Sequence, residues 1–252
     1  MQIWSIADLH LAFGVPQKTM EVFGPEWRDY AGKIERGWRA VVHPDDLVLI
    51  AGDISWGMSV EQARIDLDWI AALPGTKILI KGNHDYWWSS LSKVQHMLPP
   101  SMHVIQNNAF HHQGISIAGA RLWDTDAYNF KDCIDYKPNP VAGVESEEPD
   151  NERIFKRELE RLELSLKSLS KDARLRVAMT HYPPIGLDLS PSRASALLEK
   201  YNVSICVFGH LHNVKKGIPL FGSARGVAYH LTSCDYLDFQ PLKIYSSLAD
   251  GD

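Results

Sequence analysis

The amino-acid sequence predicts an α/β fold built on mixed sheets. Short runs rich in Ile, Val and Leu recur along the chain without polar alternation, a pattern typical of strands that are covered on both faces. Helical patterns lie between several of these runs, and alternating strands and helices favour an α/β domain. Near the carboxyl end, Gly226–Tyr245 has strand-like alternation with no helix inside it, which indicates antiparallel strands.

The predicted strands are six short apolar runs. Each run ends in small or polar residues, which is typical of a buried strand that leaves the sheet in a turn. The runs are Gln2–Ala7, Leu47–Ala51, Lys77–Ile80, Ile115–Ala118, Leu175–Thr180 and Val203–Phe208.

Two stretches have the clearest helical signals. Ser59–Leu73 opens with Ser59 and Gln62 in capping-box spacing and then places apolar residues on one face. Asn151–Leu169 repeats apolar residues in alternating steps of four and three and has a charged outer face. Because this repeat lasts only about two heptads, we expect one helix docked on a sheet rather than a coiled coil.

The composition is typical of a single domain, which we predict over residues 1–252. The chain has 252 residues, of which 45% are hydrophobic and 23% charged, and a formal net charge of −5. No run approaches the roughly 18 apolar residues of a membrane span. The acidic balance disfavours a nucleic-acid partner, which needs clustered Lys and Arg, although a local basic groove stays open as an alternative.

The sequence favours a reducing, cytoplasmic setting. Met1–Ala7 is short, lacks a basic flank and is followed at once by Asp8 and His10, unlike a signal peptide. Three widely spaced cysteines form neither a disulfide framework nor a C-x-x-C metal site, and Cys206 in its apolar run is expected to be a buried thiol. The three are Cys133, Cys206 and Cys234.

One segment departs from the strand and helix pattern. Arg121–Glu152 contains three prolines, an acidic cluster and four aromatic residues. Loops of this length are usually functional or disordered. We predict a cap or rim insertion at about residues 121–152 that covers the functional site, and a solvated surface excursion is the alternative.

Polar side chains follow five of the predicted strands at the point where each strand ends. In an α/β sheet the carboxyl ends of the strands are where ligands bind. We therefore expect these side chains to meet at one edge. The metal-competent ones are Asp8, His10, Asp53, Asn83, His181, His210 and His212.

Seven donors of this kind are enough for two metal ions if one carboxylate bridges them, and Asp53 is the predicted bridge. Carboxylate, imidazole and amide ligands without thiolate suit Mn, Fe, Zn or Co rather than an iron–sulfur cluster or calcium. Two such ions clamp a phosphoryl group and activate water. The sequence thus predicts a binuclear site for a phosphate ester.

The ordered motifs resemble those of the calcineurin-like metallophosphoesterase superfamily. The family pattern D-x-H, G-D, G-N-H-[DE], H and G-H-x-H is matched in order and residue type between Asp8 and His212. The resemblance implies a four-layer α/β/β/α sandwich of two mixed sheets flanked by helices. It also implies that His84 faces the substrate and that Asp85 orients it. One metal would take Asp8, His10, Asp53 and His212, and the other Asp53, Asn83, His181 and His210.

The function that follows is a metal-dependent phosphoesterase acting on a phosphomonoester, a phosphodiester or a pyrophosphate through a metal-activated hydroxide. Arg121, which follows a predicted strand, is a candidate contact for the phosphate, with a surface arginine as the alternative. The rival functions are a nuclease acting on DNA or RNA, which needs a basic path to the site, and a non-catalytic scaffold. A scaffold should lack ligands or His84, and this sequence keeps all of them.

Overall fold

A computed structural model describes residues 1–135, 150–215, 217–218 and 220–247 of the chain. Residues 136–149 of the predicted cap at 121–152 lie outside the described residues. The described residues form two mixed sheets, one of five strands and one of six.

The first sheet is built mainly from the amino-terminal part of the chain. Its strands are β1 (Gln2–Ile6), β2 (Leu47–Ile50), β3 (Thr76–Leu79), β4 (Met102–Val104) and, from the far end of the chain, β11 (Leu242–Ser246). The order is β11-β1-β2-β3-β4. Neighbours from β1 to β4 are parallel, and β11 pairs with β1 in the antiparallel sense. This sheet confirms three of the predicted apolar runs as strands.

The second sheet is built from the later part of the chain. Its strands are β5 (Ala109–His112), β6 (Ile115–Ala120), β7 (Leu175–Thr180), β8 (Ile205–Phe208), β9 (Gly222–Ala224) and β10 (Val227–Leu231). The order is β5-β6-β7-β8-β10-β9, with β6, β7, β8 and β10 mutually parallel and an antiparallel strand at each edge. The prediction of antiparallel strands in Gly226–Tyr245 is thus only partly right, because β10 also pairs in parallel with β8.

Five α-helices accompany the strands among the described residues, and no described helix is both long and apolar enough to cross a membrane. Both predicted helices are present, each ending two residues short of the expected carboxyl end. Ser59 caps its helix by accepting a hydrogen bond from the Gln62 backbone N–H at 3.4 Å, as predicted. The helices are α1 (Tyr30–Val41), α2 (Val60–Ala71), α3 (Leu91–Met97), α4 (Asn151–Lys167) and α5 (Arg193–Lys200).

In the described part of the chain, three clusters of buried apolar side chains define the layers. One cluster joins the first sheet to α1, α2 and α3, and another joins the second sheet to α4 and α5. The third lies between the sheets and contains residues of both, such as Leu49 and Ile78 from the first and Val177 and Val207 from the second. The central strands β2, β3, β6, β7 and β8 are therefore buried on both faces, which is why their apolar runs do not alternate. The predicted arrangement of two mixed sheets flanked by helices is confirmed.

The three cysteines are free and buried, as expected from their spacing. Cys206 lies in β8, and burial raises the pKa of its thiol to about 12. A thiol with so little thiolate is a weak nucleophile and a weak metal ligand. The thiol of Cys206 is therefore not a candidate metal ligand.

Candidate metal centre

The carboxyl ends of the central strands bring the predicted ligands together. The loops interlock through backbone hydrogen bonds, since Asp8 N donates to Gly52 O at 3.0 Å and His10 N donates to Asp53 O at 2.9 Å. Asp8 and His10 follow β1, Asp53 follows β2, Asn83 follows β3, His181 follows β7, and His210 and His212 follow β8.

Four of these residues have left-handed backbone conformations although none is glycine. The φ angles are 59° at Asp8, 45° at His10, 52° at Asp53 and 73° at His210. A non-glycine residue with positive φ costs free energy and persists where the surrounding structure enforces it. Such residues cluster at functional sites, and here they turn the side chains out of the strands and toward one another.

Two glycines allow the close approach of the carboxylates. A Cβ at Gly82 would collide with Asp53 Oδ1, and one at Gly209 would collide with Asp8 Oδ2. Any side chain at either position would displace a candidate ligand. The glycines of the G-N-H-D and G-H-L-H motifs are thus required by the packing of the cluster.

Among the described residues, two groups of side chains have the spacing of a metal site. The first group is Asp8, His10 and His212, and the second is Asp8, Asp53 and His181; within each, the ligand atoms lie within 4.8 Å of one another. The Oδ2 atom of Asp53 lies 3.6 Å from His10 Nε2 and 3.4 Å from His181 Nε2. Asp53 therefore stands between a histidine of each group.

The two remaining candidates border the same cluster. The Oδ1 atom of Asn83 lies 2.7 Å from His181 Nε2. The imidazole of His210 has its centroid 5.2 Å from that of His181 and 3.9 Å from the ring of Tyr182. The backbone N–H of His210 also donates to Asp8 Oδ2 at 2.9 Å. All seven predicted ligands are thus brought to one place.

The hydrogen-bond partners of two histidines leave one nitrogen for a metal. His181 Nδ1 lies 2.9 Å from the carbonyl of Ala51, and His212 Nδ1 lies 2.9 Å from Asp235 Oδ1. Each Nδ1 must donate its hydrogen to these oxygens, so Nε2 carries the lone pair when the ring is neutral. A carbonyl or carboxylate behind the ring is the usual arrangement of a metal-binding histidine.

The contacts within the cluster fit bound cations. Asn83 Oδ1 and Ala51 O both face nitrogens of His181, and a neutral imidazole can donate to only one of two acceptors. Burial alone would lower the pKa of His181, but the carboxylates of Asp53 and Asp8 raise it to about 9. The site therefore attracts positive charge, which a metal ion supplies in place of a proton.

His10 and His210 also favour the neutral form of the imidazole, which is the form that binds metals. Burial holds the pKa of both imidazoles well below the usual value. Neutral imidazole is the ligand form of histidine. The Nδ1 atom of His10 is buried without a hydrogen-bond partner among the described residues, so the ring has a free polar atom next to the cluster.

His84 lies beside the cluster but belongs to neither ligand group. Its backbone N–H donates to Asp53 Oδ1 at 2.8 Å, and its ring lies 4.6 Å from that of Trp56. Trp56 also stacks on His10 at 4.9 Å. The indole thus positions two histidines, a role that no motif in the sequence indicated.

The contacts of Asp85 differ from the prediction. Its carboxylate accepts hydrogen bonds from Ile54 N at 2.9 Å, Ser55 N at 3.2 Å, Gly82 N at 2.8 Å and Trp87 Nε1 at 3.0 Å. The expectation that it orients the His84 ring is therefore wrong. These four donors belong to the loops after β2 and β3, so Asp85 joins the two loops that carry Asp53 and Asn83.

Sequence reasoning also missed Asp235. This carboxylate accepts from His212 Nδ1 and from Asn213 N at 3.0 Å, and so holds the G-H-L-H loop. It follows β10 and lies outside every motif. A local pattern could not identify it, because its partner is 23 residues away.

An aromatic cavity of about 790 Å³ borders the cluster at His210. Trp123, Tyr128, Phe130 and Tyr182 are among its walls. The first three come from the described part of the predicted cap. The guanidinium of Arg121 does not line this cavity; it pairs with Glu158 at 3.2 Å in a different one.

The comparison with protein families agrees with this geometry. A family model described as calcineurin-like phosphoesterase matches residues 1–214. The chain belongs to this family. The resemblance inferred from the motifs is confirmed.

Individual relatives are more distant or shorter matches. The Gene 66 proteins of Mycobacterium phages L5 and D29 are 37% and 34% identical to the chain over 84 residues. This match covers 32% and 33% of the chain and 39% and 40% of those relatives. A solved phosphopantetheinyl hydrolase (PptH) from Mycobacterium tuberculosis is 15% identical, with a TM-score of 0.53 and coverage of 99% of this chain and 98% of that one. This likeness supports the fold.

Proposed function

We propose that this calcineurin-like phosphoesterase hydrolyses phosphate esters of small organic alcohols with two divalent transition-metal ions. The observation that carries the proposal is the position of Asp53, whose Oδ2 lies within 3.6 Å of His10 and 3.4 Å of His181. One carboxylate oxygen that faces a histidine on each side suits a bridge between two cations. In this proposal the remaining donors would divide around Asp53 into two sets, although Asp8 is the residue that both ligand groups share.

The two sets follow the pattern that the motifs indicate. One ion would be held by Asp8, His10, Asp53 and His212, and the other by Asp53, Asn83, His181 and His210. Ions of Mn, Fe, Zn or Co suit this mixture of oxygen and imidazole donors. When bound, such ions draw charge from the phosphoryl oxygens and lower the pKa of bound water.

The protein's own contribution beside the ions is a proton donor. His84 lies next to Asp53 and outside both ligand groups, so its ring is free to act on the substrate. Contact with Trp56 limits the orientations of the ring. We propose that His84 donates a proton to the departing alkoxide oxygen, which is general-acid catalysis.

The aromatic cavity would hold the alcohol part of the ester. Its volume of about 790 Å³ lies within the range of small-molecule sites, roughly 300–1,000 Å³. The rings of Trp123 and Tyr182 lie 4.9 Å apart and offer an apolar surface for a planar or apolar group. In this proposal the described part of the predicted cap, residues 121–135, contributes a rim within one domain that selects the ester.

The charged residues that line the same cavity argue against the nuclease alternative. Asp124 and Asp126 line it with a single lysine, Lys131, and this acidic balance disfavours the phosphodiester backbone of a nucleic acid. We therefore assign a small phosphate ester as the substrate class rather than DNA or RNA. The cytoplasm remains the proposed location.

The test uses purified protein loaded with Mn²⁺. Metal content is measured by mass spectrometry, and hydrolysis is measured on an aryl phosphomonoester and an aryl phosphodiester. We expect about two ions per chain and turnover that stops when the metals are removed. One ion per chain, or turnover that survives metal removal, would contradict the proposal.

A further inference from the structure

A second cavity, of about 270 Å³, has basic walls. It lies where the end of β3, the connection from β4 to β5, the end of β6 and helix α4 meet. Four cationic side chains line it together with one carboxylate. These residues are Lys81, Arg121, Arg157, Arg161 and Glu158.

The carboxylate of Glu158 is surrounded by arginines. Only 2% of its side chain is exposed, and a single oxygen, Oε1, faces all three guanidinium groups. The distances are 3.2 Å to Arg121 Nη2, 3.4 Å to Arg157 Nη2 and 2.9 Å to Arg161 Nη1. One carboxylate cannot neutralise three guanidinium groups, so their mutual repulsion persists in a partly buried space.

Two of the cations keep unused hydrogen-bond donors. Lys81 Nζ donates to the uncharged carbonyl of Trp88 at 2.9 Å, and an ammonium has three donors. Arg121 Nε is buried without a hydrogen-bond partner among the described residues. A buried donor with no acceptor is costly, and an anion in the cavity would relieve that cost.

We infer that this cavity binds a tetrahedral oxyanion of the phosphate or sulfate type. Guanidinium groups match such oxygens with two parallel hydrogen bonds, and Lys81 adds a point charge. The volume is just below the roughly 300–1,000 Å³ of sites for whole small molecules, which fits a free anion or the phosphate group of a larger ligand. None of the four cations is among the proposed metal ligands, and Arg121 lines this cavity rather than the one proposed to hold the ester, so the inference does not rest on the proposed function.

The test is calorimetric titration of the full-length, metal-loaded protein with sulfate. The double variant Arg157→Gln/Arg161→Gln removes two cations but leaves the residues nearest the metal centre intact. We expect wild type to bind one sulfate in this cavity besides any at the metals, and the double variant to bind it at least roughly tenfold more weakly. Arg153→Gln is the matched control, because Arg153 is exposed on the same helix and pairs with Asp150.

Equal sulfate stoichiometry and affinity in wild type and the double variant would overturn the inference. Thermal unfolding of each variant shows whether it is folded. Should the double variant fail to fold, Arg157→Gln alone replaces it, since that side chain is 54% exposed, and an unchanged sulfate affinity there overturns the inference equally. Titration with phenylphosphonate identifies the source of the anion. Binding that weakens in the variant that lost sulfate affinity indicates a phosphate carried by a larger molecule, and binding of sulfate alone indicates a free anion.

Discussion

The two sheets contribute different chemistry to the metal centre. Loops after strands of the first sheet carry all the proposed oxygen ligands, Asp8, Asp53 and Asn83, together with His10. Loops after strands of the second sheet carry only imidazoles, namely His181, His210 and His212. A complete set of ligands for either proposed ion therefore exists only when the two sheets are packed together.

The sheets also hold their ligands in different ways. The carboxylates of the first sheet accept backbone N–H bonds, Asp8 from His210 and Asp53 from His84. Two imidazoles of the second sheet are instead held from behind, His181 by the Ala51 carbonyl and His212 by Asp235. The first sheet thus supplies carboxylates whose negative charge is stabilised by backbone N–H groups. The second supplies imidazole rings whose tautomer is fixed by the hydrogen bond at Nδ1.

The largest expected effect comes from the shared carboxylate of the first sheet. We predict that Asp53→Asn lowers occupancy of both metals, because the bridge loses its charge. His210→Ala, a change in the second sheet, should lower occupancy of one. The metal-to-protein ratio of both purified variants checks this contrast. Full double occupancy in Asp53→Asn would show that Asp53 is not the bridge.

The next largest effect is expected for His84, which follows β3 of the first sheet and is not a proposed ligand. His84→Ala should keep both metals and lose roughly 10²–10⁴ of turnover on esters with alkoxide leaving groups. A nitrophenolate leaves without protonation, so the loss on that substrate should be smaller. Steady-state kinetics on both esters measures the difference. Equal losses would indicate that His84 positions the phosphate, and lost metal would indicate that it is a ligand.

A smaller effect is expected for Asp235, the carboxylate that accepts a hydrogen bond from His212. Asp235→Asn keeps the shape of the side chain but removes the charge that holds His212 Nδ1. Metal affinity should fall roughly 10- to 100-fold. Competition with a chelator measures this affinity, and the exposed Asp45→Asn is the control. Unchanged affinity would mean that the carboxylate supports only the loop.

The wall of the aromatic cavity should affect binding more than chemistry. Trp123→Ala removes one face of the ring pair with Tyr182. An aromatic contact is worth about 0.5–1.5 kcal/mol, so KM for an aryl phosphate should rise roughly 2- to 12-fold. KM for a short alkyl phosphate should change little. Equal changes for both esters would place the alcohol group outside this cavity.

Lys77, which lies near the amino end of β3 in the first sheet, should affect stability alone. Lys77 in β3 donates to the carbonyls of Ala71 and Leu73, and burial lowers its pKa to about 8. Between pH 8 and about 10.4 the unfolded chain binds more protons, so the free energy of unfolding should rise with pH by roughly 1–3 kcal/mol. Denaturant unfolding of wild type and Lys77→Met checks this; the variant should lack the rise. A parallel rise in both would assign it to other groups.

Much of the site could be predicted because its residues lie in fixed positions after apolar strands. The G-N-H-D and G-H-L-H spacings indicated Asn83, His84, His210 and His212, and the parallel order of the strands indicated that they would meet. The ring contact of Asp85 was predicted wrongly, because the sequence neighbour of His84 has its carboxylate in reach of three backbone N–H groups. Those donors depend on how the loops fold.

What the sequence alone determined is the chemistry of the donors, the strands that present them and the family. Apolar runs and ordered motifs are local patterns, and such patterns can be recognised without knowing which distant residues they will contact. Tertiary structure decided which side chains support the donors. Trp56 lies on two histidines, Asp235 lies behind His212, and Glu158 lies among three arginines of which Arg121 is 37 residues away. Such contacts depend on the packing of helices and loops onto sheets, since only packing brings distant residues within hydrogen-bonding distance.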